Sequence, residues 1–179
     1  MERQATNLTF RIVQPDEIAA VKEEVKPVFF SGDEATIEDH FQEHENGAST
    51  TLLGYEAGRL VGIVTIRWNS RYSPFRERGI PLIQNIEIRY EDRGRGIGGL
   101  MLERTEREIA RRSRLAGMCV GIFDSYGPAQ RLYIKRGFVP DGRGVCHPVE
   151  PLKEGEIVTI DHDLLLWLVK DVSHLREEA

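Results

Sequence analysis

The sequence contains few cysteines and no long apolar run. Cys119 and Cys146 are its only two cysteines, and they do not form a Cys-x-x-Cys pair. This argues against a disulfide framework and against a cysteine-based zinc site, so both are interpreted as structural thiols. No apolar stretch reaches membrane-spanning length, and the first residues lack the apolar core of a secretion signal. We therefore expect a cytoplasmic protein with no membrane partner.

An excess of basic residues is also lacking. The 24 lysines and arginines are outnumbered by 29 aspartates and glutamates, which gives a net charge of -5. A broad nucleic-acid-binding surface needs positive charge, so no nucleic-acid partner is expected. The length of 179 residues and the 40% hydrophobic content fit one globular domain. We predict a single domain over residues 1–179, with a core at about 7–170 and a frayed tail over 171–179.

The most informative stretch, residues 81–116, has the pattern of a strand, a glycine turn and a helix. The strand pattern places Leu82, Ile86 and Ile88 on one side and Ile83, Asn85, Glu87 and Arg89 on the other. The turn reads Arg93-Gly94-Arg95-Gly96-Ile97-Gly98-Gly99. Glycines allow a ligand to approach the backbone, and the first N–H groups of a helix bind anions. Because Arg93 and Arg95 add positive charge, a ligand that bears phosphate is predicted.

Three kinds of phosphate site compete for this turn. A nucleotide-triphosphate loop is disfavoured because no Lys-Ser or Lys-Thr pair follows the glycines. A dinucleotide fingerprint is weakened because the spacing is not Gly-x-Gly-x-x-Gly and no second strand ends in an acid at the expected distance. A coenzyme A pyrophosphate site remains.

Two segments resemble motifs of the GNAT superfamily of N-acetyltransferases. Residues 93–98 resemble motif A, whose signature is Gln/Arg-x-x-Gly-x-Gly/Ala. A second segment resembles motif B, an Ala-x-x-Leu-Tyr-x-x-x-Gly-Phe pattern, and reads Ala129-Gln130-Arg131-Leu132-Tyr133-Ile134-Lys135-Arg136-Gly137-Phe138. The family often has an asparagine three residues before this alanine, where the present chain has Tyr126.

The resemblance implies an α/β (α+β) domain of the GNAT type. Its mixed, mostly antiparallel sheet would have about seven strands flanked by helices. A parallel pair of strands, 82–89 and 118–123, would splay to admit coenzyme A. The patterns further predict strands at 7–14, 49–55, 60–68 and 163–170, and helices at 15–29, 33–45, 97–116 and 128–137. Residues 139–144 have the composition of a turn.

The resemblance also implies a reaction, the transfer of an acetyl group from acetyl-CoA to a primary amine of a small molecule or peptide by direct attack. A main-chain N–H near Ile88 or Arg89 would polarise the thioester carbonyl. Tyr133 would protonate the leaving thiolate, and Glu87 or a water chain would take the proton of the amine. The predicted coenzyme-binding residues are Ile88, Arg89, Arg93, Gly94, Arg95, Gly96, Ile97, Gly98, Gly99, Tyr126 and Tyr133. A non-catalytic acyl-CoA sensor or regulatory module is the alternative function.

The amine acceptor is expected to enter between the first two helices and the long connection at residues 69–80. Phe29, His40, Tyr72 and Phe75 are predicted to supply the walls. The sequence is also compatible with a homodimer.

The second helix contains a zinc-peptidase-like string, His-x-x-Glu-His, over residues 40–44. A metal site needs further ligands, for which the chain offers no independent case, so no metal is predicted. Ile37, His40, Phe41 and His44 share one helical face. The two histidines either pack in the core or edge a pocket.

The outer side of the long helix after the glycines is predicted to face solvent. It carries Glu103, Arg104, Glu106, Arg107, Glu108, Arg111, Arg112 and Arg114. Glutamate precedes arginine by four residues twice in this list, a spacing that favours ion pairs on a helix surface.

Overall fold

The computed structural model describes residues 8–29 and 33–176. Its strands are β1 (Leu8–Ile12), β2 (Ser49–Glu56), β3 (Arg59–Arg67), β4 (Leu82–Ile88), β5 (Leu115–Gly121), β6 (Val139–Cys146) and β7 (Leu165–Asp171). Its α-helices are α1 (Ile18–Val25), α2 (Glu34–Glu45), α3 (Ser73–Glu77), α4 (Ile97–Ala110) and α5 (Gly127–Lys135).

The seven strands form one mixed sheet in the order β1-β2-β3-β4-β5-β7-β6. The pairs β1–β2, β2–β3, β5–β7 and β6–β7 are antiparallel. Strands β4 and β5 are parallel, with Leu82 opposite Gly117 and Ile83 opposite Met118. The predicted fold class is therefore confirmed. The chain packs as two compact units, with residues 8–29, 33–68 and 84–105 in the first and residues 69–83 and 106–176 in the second.

In the first unit, helices α1 and α2 cover one face of the sheet. Asp33 caps α2 by accepting the N–H of Thr36 at 2.9 Å. The turn between β2 and β3 places Ala57 and Gly58 at φ values of 50° and 78°, as a two-residue hairpin turn requires. The apolar core of this face consists of Val13, Ile18, Val21, Val25, Phe29, Ile37, Phe41, Leu53, Leu60 and Ile63.

Helix α4 begins on the opposite face of the same strands, where glycines make room for it. A Cβ atom at Gly54 would lie 2.5 Å from Sδ of Met101 on α4. At Gly62, a Cβ atom would lie 3.0 Å from Cδ1 of Ile88 and 3.4 Å from the same sulfur. The two glycines therefore let the first turns of α4 approach β2 and β3 closely, which fixes the glycine turn that precedes the helix.

In the second unit, the connection at residues 69–80 belongs to the core. Its helix α3 buries Phe75, whose ring would be only 2.3 Å from a Cβ atom at Gly117. Tyr72 is fully buried and stacks on Trp167 with ring centroids 4.0 Å apart. Its hydroxyl donates to Asp141 at 2.6 Å. This segment anchors β5 and β7 from one face.

The end of α4 differs from the sequence prediction. The helix stops at Ala110 instead of Ala116, because Ser113 forms a turn in which its Oγ accepts the N–H of Leu115 at 3.2 Å. Ala116 consequently lies in β5 and is fully buried.

The charged side of α4 is also not uniformly exposed. Glu106 is fully buried, donor nitrogens of Arg136 lie 3.0 and 2.7 Å from its two oxygens, and Lys170 Nζ lies 2.7 Å from one of them. Glu108 is 6% exposed and pairs with Arg111 at 3.1 Å. The prediction of a solvent face was wrong for these two glutamates.

Two further predictions require correction. Residues 139–144 were predicted as a turn but form the start of β6, where Gly142 and Gly144 adopt φ values of 93° and 76° and the pairing with β7 shifts register. Glycine in a bulged strand has the same composition as glycine in a turn. The tail predicted to fray from residue 171 contains fully buried Val172 and a 3-10 turn at Ser173–Arg176, whereas residues 177–179 lie outside the described part.

Within the described ranges, no helix is both long and apolar enough to span a membrane.

Candidate active site

The centre of β4 departs from a regular strand. Asn85 has a φ of 50°, which breaks the extended backbone at this residue, a local irregularity that we call the bulge of β4 and that interrupts the predicted alternation of sides. Leu82 and Ile83, before the bulge, are both buried, whereas Glu87 and Ile88, after it, are half-buried. The bulge therefore separates a covered start of the strand from a more accessible end, where the predicted catalytic groups lie.

The main-chain amides at the end of β4 differ in their availability. The N–H of Arg89 donates to the carbonyl of Val61 on β3 at 2.9 Å, and the Nε of the same arginine donates to Leu60 O at 3.0 Å. Successive N–H groups of an extended chain point to opposite sides, so the N–H of Ile88 points away from β3. Of the two residues predicted to polarise the thioester carbonyl, Arg89 thus has its N–H engaged by β3, whereas the N–H of Ile88 faces away from that strand.

The glycine turn has the backbone geometry of an anion site. Gly94 and Gly96 have φ values of 76° and 86°, and a Cβ atom at either position would meet nothing within 4 Å. The N–H groups of Gly99 and Leu100 donate to the carbonyl of Gly96 at 3.1 and 3.3 Å, which forms the first turn of α4. The N–H groups at the very start of such a helix have no partner within it and can bind a phosphate oxygen.

The two arginines of the turn contact protein groups. Arg95 makes a bidentate pair with Glu56 at 2.7 and 2.8 Å and contacts Asp92 at 2.7 Å. Asp92 also accepts from Arg59 at 2.9 Å, and this hydrogen bond is the main cause of its lowered pKa. Arg93 donates from Nε to Ile88 O at 3.1 Å. The charge of Arg95 is therefore directed at carboxylates, which corrects the expectation that its side chain serves a phosphate.

Tyr133 lies on α5 and is 7% exposed. Burial raises the pKa of its hydroxyl to about 12, with smaller contributions from Cys119 and Tyr126. Burial also raises the pKa of the Cys119 thiol to about 11. Across residues 8–29 and 33–176, the Tyr133 hydroxyl has no hydrogen-bond partner. The phenol therefore stays protonated at neutral pH and is able to donate to a ligand.

Tyr126 belongs to an aromatic cluster that the sequence did not indicate. Its hydroxyl lies 3.1 Å from Nδ1 of His162, and its ring lies against Gly121, where a Cβ atom would be 2.4 Å away. Phe123 contacts both rings edge-on, at 4.9 and 5.3 Å between centroids. His162 comes from the connection before β7, 36 positions from Tyr126 in sequence, and no local pattern links the two.

Three of the four predicted acceptor walls are core residues. Phe29 is 1% exposed within the apolar core under α1 and α2, and Tyr72 and Phe75 are fully buried in the second unit. These side chains were predicted to line the acceptor site, but they support the strands and do not border solvent in this structure.

The fourth predicted wall, His40, belongs to a buried polar network with His44. His40 Nε2 lies 3.0 Å from Oγ1 of Thr51 and 3.3 Å from Oγ1 of Thr65, and its Nδ1 lies 3.2 Å from Nδ2 of Asn85. His44 donates from Nε2 to Val13 O at 3.1 Å and accepts the Thr51 N–H at Nδ1. Both rings thus have protein partners on both nitrogens. In the described part of the chain, no group of three potential metal ligands is found.

The sequence model of the acetyltransferase (GNAT) family matches residues 18–138. The chain therefore belongs to the GNAT acetyltransferase family. It is an acyltransferase that moves an acetyl group from acetyl-CoA to an amine.

Solved structures of several acetyltransferases share the fold. A dodecameric spermidine N-acetyltransferase from Vibrio cholerae is 14% identical, with 98% of this chain and 99% of that chain covered and a TM-score of 0.64. An acetyltransferase from Salmonella typhimurium, which modifies the N-terminal serine of ribosomal protein L7/L12, is 13% identical, with coverages of 93% and 96% and a TM-score of 0.62. An N-acetyltransferase from Staphylococcus aureus Mu50 is 18% identical, with coverages of 93% and 99% and a TM-score of 0.63. No curated protein sequence matches the chain.

Proposed function

We propose that this enzyme acetylates a primary amine of a small molecule or peptide and binds the pyrophosphate of acetyl-CoA at residues 93–99. The observation that carries the proposal is the backbone of Gly94 and Gly96. Both residues adopt left-handed conformations that favour glycine, and both border open space immediately before α4. Together with the amides at the helix start, they would offer main-chain N–H donors to a diphosphate.

The proposed roles of the reacting groups follow from their surroundings. The Ile88 N–H points away from β3 and would donate to the thioester carbonyl as negative charge develops on oxygen. Tyr133, which keeps its proton because its pKa is about 12, would donate to the departing thiolate. Glu87 follows the bulge of β4 and would accept the proton of the amine, directly or through water.

The acceptor belongs to a wide class. Among proteins of this fold, one acts on spermidine and another on the N-terminal serine of a ribosomal protein. Both of these acceptors carry a primary amine, and we propose that the acceptor of this enzyme carries one too. Metal independence, a cytoplasmic location and a homodimer stay predictions, and the first is tested by activity after treatment with a chelator.

Turnover is tested by mixing the enzyme with acetyl-CoA and following free thiol. Spermidine, a peptide with N-terminal serine and simple alkylamines serve as acceptors, and acetylated product is identified by mass spectrometry. We expect amine-dependent thiol release by the natural enzyme and strongly reduced release by Tyr133→Phe. Binding of acetyl-CoA without any turnover over the whole panel would contradict the proposed acceptor class.

A further inference from the structure

Asn85 combines an unfavourable backbone conformation with a side-chain contact to a buried histidine. Its φ of 50° is rare for a residue other than glycine, and such conformations persist where the surroundings stabilise them. At this residue, the side-chain Nδ2 lies 3.2 Å from Nδ1 of His40. His40 itself is 6% exposed, so the bulge of β4 is anchored from the side of the sheet that α2 covers.

The orientation of the Asn85 amide and the tautomer of His40 go together, and in this structure the amide nitrogen faces Nδ1 of the ring. An amide nitrogen only donates, so Nδ1 of His40 accepts and the ring proton lies on Nε2. Nε2 faces the hydroxyls of Thr51 and Thr65, which accept from it at 3.0 and 3.3 Å. These two threonines are directly opposite each other in the β2–β3 ladder. The pair of strands therefore provides a fixed acceptor for one side of the ring and leaves the other side to orient Asn85.

His40 is neutral under ordinary conditions. Burial lowers its pKa to about 4, and the nearby His44 and Arg67 act in the same direction. Arg67 is itself paired with Glu43 at the edge of this network. A neutral ring keeps Nδ1 available as an acceptor, so the Asn85 amide keeps one orientation over the working pH range.

This orientation leaves the side-chain carbonyl oxygen of Asn85, Oδ1, available to accept a hydrogen bond. Asn85 is exposed, and among the described residues its Oδ1 has no hydrogen-bond partner. Glu87 and the Ile88 amide follow it on the same strand. A protonated primary amine has only N–H donors. An acceptor such as a carbonyl oxygen is therefore suited to hold it. We propose that Asn85 Oδ1 binds the amine of the acceptor and that His40 is the positioning residue that aims it.

This inference rests on the proposed amine acetylation and is tested with propylamine, the simplest probe that carries the required group. Asn85→Gly removes the amide while preserving the left-handed backbone, because glycine accepts a positive φ without strain. We expect the KM for propylamine to rise about tenfold, the effect of one lost hydrogen bond, with little change in kcat. Dissociation constants for acetyl-CoA, measured by calorimetry, should not change.

The positioning role is tested by a double-mutant cycle. His40→Phe keeps a ring but removes both nitrogens, so it should raise the KM for propylamine by a similar factor. The double variant His40→Phe/Asn85→Gly should be no worse than either single variant, since both remove the same interaction. Independent losses that multiply would show that His40 affects the KM by a route other than Asn85, which would overturn its positioning role. Nitrogen NMR of the natural enzyme should find the His40 proton on Nε2, and a proton on Nδ1 would overturn the proposed orientation.

The outcomes separate this inference from the proposed function. An unchanged KM in Asn85→Gly overturns the role of Asn85 alone. The same conclusion follows if the natural enzyme binds acetyl-CoA but does not accelerate its aminolysis by propylamine. Failure of the natural enzyme to bind acetyl-CoA would overturn the proposed function and this inference together.

Discussion

Acidification should destabilise this protein through His40 in a way that can be measured separately from all other groups. The pKa of His40 is about 4 in the folded state, against 6.5 for the free side chain, and the main cause is burial. Between these two values the unfolded chain binds more protons than the folded one. Stability is therefore fully present above pH 6.5 and is lost as the pH falls toward 4.

The magnitude follows from the two pKa values. The difference between 6.5 and about 4 corresponds to about 3 kcal/mol of unfolding free energy when the transition is complete. About 2 kcal/mol of it should be lost between about pH 7.5 and about pH 5. Other ionisable groups also bind protons on acidification, so the natural protein alone does not isolate the effect.

A comparison with His40→Phe removes that difficulty. Urea unfolding of both proteins at the two pH values gives four free energies, and the contributions of the other groups cancel in the double difference. We expect the natural protein to lose about 2 kcal/mol more than the variant on acidification. An equal loss in the two proteins would refute the account of His40 as a buried neutral ring, and with it the fixed orientation of Asn85.

Three further predictions concern catalysis and stability. Tyr133→Phe should lower kcat about 10²- to 10⁴-fold with little change in acetyl-CoA affinity, and full kcat in this variant would assign the tyrosine to packing. In the natural enzyme, the plateau of the pH profile should extend to about pH 10 because the Tyr133 pKa is about 12. Glu87→Gln should flatten or displace the ascending limb of the kcat/KM profile, and an unchanged limb would assign the proton to water. Glu106→Gln should lower the unfolding free energy by about 3 kcal/mol in urea titrations, since it removes the anion that Arg136 and Lys170 share. A loss below about 1 kcal/mol would show that these ion pairs are solvated.

Most of the order of elements could be predicted because most elements have a local signal, whereas α3 and β6 were not predicted. The alternation of apolar and polar residues predicted β2 and β3, and the run of glycines predicted the start of α4. Both signals lie within the segments that they describe. The bulge at Asn85 could not be predicted, because no local pattern indicates it and the side chain that Asn85 contacts, His40, is 45 positions away. Likewise, nothing in the local pattern of α4 distinguishes buried Glu106 from its exposed neighbours, because its partner Lys170 is 64 positions away.

The candidate site shows the same limit. Motif resemblance indicated the turn and Tyr133, but it did not show that Arg95 is held by Glu56 or that the Arg89 amide is used by β3. Aromatic residues at the predicted acceptor walls could equally serve the core, and composition does not decide between these roles. Phe29, for example, is one of the most buried side chains of the first unit.

The central claim, that the glycine turn binds acetyl-CoA, is tested most directly by calorimetric titration of acetyl-CoA into two matched alanine variants. Gly96 and Gly155 both have a φ of 86°, and a Cβ atom at either position meets nothing within 4 Å. Gly96→Ala and Gly155→Ala should therefore lose similar stability, about 1–2 kcal/mol each. We expect Gly96→Ala to bind acetyl-CoA at least tenfold more weakly because its methyl group occupies the approach of the pyrophosphate, and Gly155→Ala to bind it as the natural enzyme does. Equal affinity in the two folded variants would contradict the account.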